Sequence, residues 1–243
     1  GLSSWFAEHS LEHLAVDEAS GLIVSGSGDH TVRVWDWRRH VGVSCLRGHT
    51  AKISGLTMTH GGRIVAACDT DGIVCVWRTQ TGEQVCRVAS GVWLQSAAFS
   101  PDRLHLATGA SGGEGVRVWD IGDGREVARL ETLDVYDLAY SQDGNTLACL
   151  SSKGVVQLWD TRRWTMMEDV VGYASMKCCA EWGVSGLYRA FSGMHEIVFE
   201  RAGVAQPIGW LPPVTARDMR SARGGMYWYF SSGGRLYGYV VED

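Results

Sequence analysis

Short apolar runs of three to seven residues, broken by compact polar turns, recur from one end of the chain to the other. Leu14-Ala15-Val16 is followed by the turn Asp17 to Gly21, then Leu22 to Ser25, then Thr31 to Trp35, then Val41 to Arg47. The same grammar returns as Ile53 to Met58, the turn Thr59 to Gly62, Ile64 to Cys68, Ile73 to Trp77 and Glu83 to Val88. Later turns such as Ser100-Pro101-Asp102-Arg103 and Ser141-Gln142-Asp143-Gly144 carry residues that favour tight reversals. Apolar spacing at i, i+3, i+4 is nowhere sustained, so the pattern predicts an all-β chain of four-strand units.

One stretch sets the period. Gly28-Asp29-His30-Thr31-Val32-Arg33-Val34-Trp35-Asp36 reads as a polar turn, an alternating strand and a closing aromatic. Its variants end at Trp77, Trp119, Trp159, Phe199 and Tyr239, so the aromatics stand 42, 42, 40, 40 and 40 residues apart. A period this regular marks a repeat architecture. Six aromatics leave no room for a seventh unit of the same length within 243 residues.

Composition narrows the classes. A single domain spanning 1–243 is large enough to bury roughly 70–75% of its unfolded surface without staples. The net charge of −5 and pI near 5.9 disfavour nucleic acid as a partner, which would call for a basic face. Only Lys52, Lys153 and Lys177 are lysines, so arginine carries nearly all the positive charge. The seven cysteines contain no C-x-x-C pair, and most lie in apolar runs, which predicts reduced core thiols. No apolar run reaches the length of a spanning helix, and the first residues lack the pattern of a signal peptide. The expectation is a soluble cytoplasmic or nuclear domain, with Gly1 in place of Met suggesting a piece cut from a larger protein.

Gly-His, a turn Asp and Trp-Asp, repeating at about 40 residues, resemble the WD-repeat β-propellers. The resemblance implies a ring of six four-stranded blades, the first strand of each lining a central channel. It also implies a buried network of His, a strand Ser or Thr, the turn Asp and Trp in each intact unit. The matching residues are His9, Ser25 or Ser27, Asp29 and Trp35 in the first unit, and His49, Asp71 and Trp77 in the second, with Asp69 and Thr70 just before that turn. The units ending at Trp119 and Trp159 have Ser90 near the His position and Lys153 at the Asp position, so both are expected to lack the network. The last unit ends after its third strand. Leu2 to Ala7, carrying Trp5 and Phe6, is expected to supply the fourth and close the ring, leaving no open edge.

Candidate chemistry is sparse. Gly109-Ala110-Ser111-Gly112-Gly113 matches the G-x-S-x-G elbow of hydrolases, but it falls in a strand-to-strand turn instead of the strand-to-helix turn that chemistry needs. The histidines show no metal-ligand spacing, and adjacent Cys178 and Cys179 would point to opposite faces of a strand. No enzyme activity, cofactor, metal or small-molecule substrate is expected, and the isolated domain is expected to be monomeric.

Two sets of residues stand out. Within the implied ring, the mouth of the channel is expected to be framed by Glu12, Lys52, Ser54, Trp93, Gln95, Asp134, Tyr136, Ser175, Lys177 and Thr215. Trp93 and Tyr136 flank Leu94 and Val135, which already fill the inward positions, so they are expected to face a partner. The reading is a non-catalytic scaffold that binds a protein or peptide there. The second set, Trp37, Arg38, Arg39, Arg162, Arg163 and Trp164, lies in two turns on the other face. Trp35-Asp36-Trp37-Arg38 and Trp159-Asp160-Thr161-Arg162 match the Trp-Asp-x-Arg box in which WD-repeat receptors of cullin-type ubiquitin ligases resemble one another. That match implies the alternative, a ligase substrate receptor docking through these turns.

Overall fold

A computed structural model describes residues 11–59, 61–132, 134–151 and 155–171, and beyond them the strand segments 180–182, 188–192, 197–201, 209–211, 219–222, 227–232 and 235–240. Side chains are described between 13 and 167. Every regular element among these residues is a β-strand.

The first four sheets follow the sequence period. Strands β1 (Leu11–Asp17), β2 (Leu22–Ser27), β3 (Val32–Asp36) and β4 (Val41–Leu46) form an antiparallel meander. The second sheet repeats it with β5 (Ile53–Met58), β6 (Ile64–Asp69), β7 (Ile73–Arg78) and β8 (Gln84–Ala89). The third has β9 (Leu94–Phe99), β10 (His105–Ala110), β11 (Val116–Asp120) and β12 (Glu126–Leu130). The fourth has β13 (Val135–Tyr140), β14 (Thr146–Ser151), β15 (Val155–Asp160) and β16 (Thr165–Val171). A fifth sheet of four short strands comprises β17 (Ala180–Trp182), β18 (Tyr188–Ser192), β19 (Ile197–Arg201) and β20 (Gly209–Leu211). The last sheet has three described strands, β21 (Met219–Ala222), β22 (Tyr227–Ser232) and β23 (Arg235–Val240). The segment expected to complete it, Leu2 to Ala7, lies outside the described residues.

Two compact units divide the chain, Gly1–Arg129 and Leu130–Asp243. In the first unit β1 lies against β5 and β5 against β9, so successive first strands are neighbours. In the second, β13 lies against β17 and β17 against β21.

Each of the first four sheets buries residues on both faces, which is why their middle strands read as nearly continuous apolar runs. Val24, Val34 and Leu46 of the first sheet pack with Val65, Ala67 and Trp77 of the second. The other face of the second sheet, through Val74 and Val76, packs on Leu94 and Leu106 of the third. The close approach of β5 and β9 depends on Gly55, where a Cβ would lie 3.1 Å from the Ser96 Cα and 2.6 Å from the Cys68 sulfur. Side-chain caps hold the reversals. Asp17 accepts the Ser20 amide at 2.8 Å within its own turn and the Gly61 amide of the second sheet at 3.1 Å.

The thiols divide by position. Cys68, Cys75 and Cys149 are buried, and burial pushes Cys68 and Cys75 up to about 12 and raises Cys149 as well. Such groups are inert packing residues. Cys45 departs from the expected core placement, because β4 is an edge strand and its side chain there faces solvent.

Candidate functional site

The buried network is the first feature the fold assembles, and it is divided among the repeats. His49 Nδ1–H donates to Asp69 Oδ2 at 2.7 Å, and the two side chains are 1% and 0% exposed. The His49 ring meets Trp77 edge-on, with centroids 5.5 Å apart and planes at 63°. Asp69 Oδ1 also accepts the amides of Asp71 at 3.0 Å and Ile73 at 2.9 Å. The buried acid is therefore Asp69, the last residue of β6, and not Asp71. Asp71 stands in the exposed turn, where its carboxylate projects away from the core. Burial holds the His49 imidazole below its ordinary value, against the opposing pull of Asp69. With both groups sealed, the pair has no access to a substrate and serves the core.

The other half of the network occurs in different repeats. Trp35 Nε1–H donates to Ser25 Oγ at 3.2 Å, and Trp119 Nε1–H donates to Thr108 Oγ1 at 2.8 Å. The repeat ending at Trp119, expected to lack the network because Ser90 stands near the His position, thus keeps its hydroxyl–Trp half. Cross-strand position explains the distribution. The hydroxyl residue pairs with the strand position two before Trp, and that place holds Ala67 and Cys149 in the repeats ending at Trp77 and Trp159. Trp159 Nε1 is buried with no hydrogen-bond partner among the described residues. Asp29 accepts from the Thr31 amide and hydroxyl and from Arg33. Burial works to raise its carboxyl, but these bonds and the Arg33 charge outweigh it and hold the group low. It clamps its own turn. His9 lies outside the described residues.

The residues expected to frame the mouth differ in exposure. Trp93 is 55% exposed beside Leu94, which is fully buried, as their neighbouring positions predict. The Trp93 carbonyl accepts the Ser111 amide at 3.0 Å, tying it to the glycine-rich turn between β10 and β11. Ser111 of the G-x-S-x-G match therefore sits between antiparallel strands, with no helix following. Lys52 is exposed and Gln95 half-buried. Ser54 is a correction. It is buried, and its hydroxyl donates to the Leu94 carbonyl at 2.5 Å and approaches the Cys68 carbonyl at 3.4 Å, so it stitches β5 to β9 instead of facing a partner. In the second unit Asp134 and Tyr136 are half-buried on either side of Val135, which is 2% exposed. The Glu12 side chain, Ser175, Lys177 and Thr215 lie outside the description.

The two arginine turns share one device. Asp36 Oδ1 accepts the amides of Arg38 and Arg39, and Asp160 Oδ1 accepts those of Arg162 and Arg163, all at 2.9–3.0 Å. Asp120 caps Gly122 and Asp123 in the same way, where the other two turns have arginines. The Asp after Trp is thus a turn cap in its own right. Arg38 stacks 5.4 Å from the Trp37 ring centroid and donates to the Glu18 carbonyl at 2.6 Å. Trp37, Arg39, Arg162 and Arg163 are exposed, and Trp164 is half-buried with φ of 55°.

Among the described residues no group of three or more His, Cys, Asp or Glu could hold a metal ion, and no helix is long and apolar enough to cross a membrane.

Known proteins place these features. Residues 4–36, 41–78, 84–120 and 125–160 match the family described as WD domain, G-beta repeat, each stretch ending on the aromatic and the residue after it. The chain is 29% identical over 205 residues to Pre-mRNA-processing factor 19 of Oryza sativa subsp. japonica, covering 80% of this chain and 38% of that protein. It is 27% identical over 146 residues to Small ribosomal subunit protein RACK1y of the same organism, covering 56% of this chain and 43% of that protein. It therefore spans less than half of either relative. The crystal structure of the Cps50 (Swd1) beta-propeller domain of Myceliophteria thermophila superposes with a TM-score of 0.83 at 18% identity, covering 96% of this chain and 83% of that one, a likeness of fold. With the repeat period, the four-stranded sheets and the family match all in agreement, this chain belongs to the WD-repeat family and has its all-β propeller fold.

Proposed function

We propose that this chain is a non-catalytic interaction scaffold that holds a protein or peptide at the rim carrying Trp93, as part of a single domain of six blades whose ring the N-terminal strand closes. The observation that carries this reading is Trp93 itself, a large aromatic 55% exposed beside a fully buried leucine. Aromatic side chains that fill no core position are the commonest energetic anchors of interfaces. Lys52, just before the first strand of the preceding sheet, supplies charge to the same rim, and Asp134 and Tyr136 flank Val135 at β13. Fold alone does not give function, and the buried His49–Asp69 pair and the inert thiols leave no described catalytic constellation. A partner segment with an apolar anchor flanked by mixed charge would suit this rim.

The ligase-receptor alternative has a narrower basis. Arg38 is engaged by Glu18 and Trp37, and the Asp of each box is explained by its own turn. Arg162 and Arg163 remain as exposed candidates.

Affinity capture comparing the unmodified chain with Trp93→Ala and with Arg162→Ala/Arg163→Ala separates the two. The scaffold reading expects partners to be lost with Trp93→Ala, at a cost of about 2 kcal/mol or more in binding, while the melting temperature holds. Capture of a cullin adaptor that depends on the arginines would favour the alternative. A Trp93→Ala variant that bound its partners normally would end the rim reading.

A further inference from the structure

A second surface lies on the outer edge of the first sheet. β4 is the last strand of its meander and pairs only with β3, so along its free side the backbone N–H and C=O groups meet no other described strand. Natural sheets guard such edges with charge, proline or brevity. Arg87 stands in β8, Glu126 and Arg129 form an ion pair in β12, and the sequence of β16 contains Glu168 and Asp169. The strand β20 is three residues long. β4 has none of these protections. Val-Gly-Val-Ser-Cys-Leu carries no charge and no proline over six residues, with Val41 49% exposed and Gly42 and Cys45 exposed as well.

Arginines stand at both ends of this neutral strand, offset at its entry by the Asp36 carboxylate. Arg38, Arg39 and His40 lead into it and Arg47 follows it, all exposed. Arg39 faces Asp36 at 3.7 Å with 82% of its side chain in solvent, and Arg38 holds the Trp37 ring beside the strand's entry. A strand with an open hydrogen-bonding edge, an apolar face and cationic ends is complementary to an extended, uncharged segment with carboxylates at its ends.

We propose that the free edge of β4 is a strand-addition site for such an acidic-ended segment of another protein, distinct from the Trp93 rim. The main-chain ladder supplies affinity, and Arg39 and Arg47 select the ends. Six residues span about 20 Å, the reach of an ordinary strand.

The test uses a fluorescent synthetic peptide of alternating Val and Thr with two Glu at each end, read by anisotropy against the full chain. A Lys-ended peptide and one N-methylated at alternate residues serve as comparisons. Expected are saturable binding of the Glu-ended peptide, slower maleimide labelling of Cys45 when it is bound, and a loss of about tenfold or more for either comparison peptide. Val41→Lys/Cys45→Lys should lose the peptide to the same degree, and Val127→Lys on the β12 edge should not. Arg39→Glu/Arg47→Glu, which leaves the strand itself untouched, should transfer preference to the Lys-ended peptide. Equal binding of the N-methylated peptide, indifference to the β4 variants, or no saturable binding at millimolar peptide would overturn the proposal. A dimer of the unmodified chain abolished by Val41→Lys/Cys45→Lys would also overturn it, assigning the edge to a second copy.

Discussion

The Nδ1–H of His49 donates to Asp69 across 2.7 Å in a pocket that leaves the two side chains 1% and 0% exposed. The contact joins the loop before β5 to the end of β6 and orders the turn beyond it, because Asp69 also holds the amides of Asp71 and Ile73. Replacing Asp69 with Ala would strand the imidazole and both amides at once. A loss of about 3 kcal/mol is expected, the scale for buried donors left without their acceptor. Asp71→Ala, in the exposed turn, should cost well under half of that. Chemical denaturation of the two variants checks the contrast, and equal losses would return the structural role to Asp71.

The same imidazole gives the fold a pH dependence. Its folded value lies below the ordinary 6.5, so the folded state favours the neutral ring while the unfolded chain takes up a proton near that value. The contribution is whole above about pH 6.5 and declines as pH falls from there toward the folded value. Melting curves from about pH 8 to about pH 5 should show the unmodified chain losing more stability than His49→Gln, which melts lower but has a shallower slope. Parallel slopes would show that His49 is not the titrating group.

Trp159 offers a gain. Its indole N–H is buried with no hydrogen-bond partner among the described residues, and Cys149 occupies the place where Ser25 serves Trp35. Cys149→Ser should provide the missing acceptor and raise stability by about 1 kcal/mol, the net worth of one hydrogen bond. Thr108→Val, which orphans the Trp119 indole, should lower it by about 1–3 kcal/mol. A destabilised Cys149→Ser would mean that the site is too apolar to orient a hydroxyl.

Gly72 sits at φ of +80°, and a Cβ there would collide with the Val92 carbonyl, one residue ahead of Trp93. Gly72→Ala should cost about 1–3 kcal/mol from backbone strain alone. It should also disturb the Trp93 rim, visible as a shift in tryptophan emission that Trp93→Phe removes. A stable variant with unchanged emission would sever this link between turn and rim.

Strand existence was legible in the chain because its signals are local. Alternation and turn residues placed β5 at Ile53–Met58 and the other strands of the first two sheets within three residues of where they lie. The buried acid was misplaced by two residues for a physical reason. Both Asp69 and Asp71 satisfy the local turn chemistry, and only the side toward which β6 presents its last residue selects Asp69. Ser54 was misassigned in the same way, since nothing near it in sequence tells of the Leu94 carbonyl 40 residues on.

The all-β class, the period of about 40 residues and the family are written along the chain, because each repeat must bury its own aromatic and reverse its own turns with residues a few positions apart. Only the packing of strand on strand settled which half of the His–Asp and hydroxyl–Trp network each repeat keeps, that Ser54 is sealed against the Leu94 carbonyl, and that β4 lies at the edge of its sheet. Those outcomes depend on which strand lies beside which and on what covers each face, and such contacts couple residues that the pattern of any single repeat leaves independent.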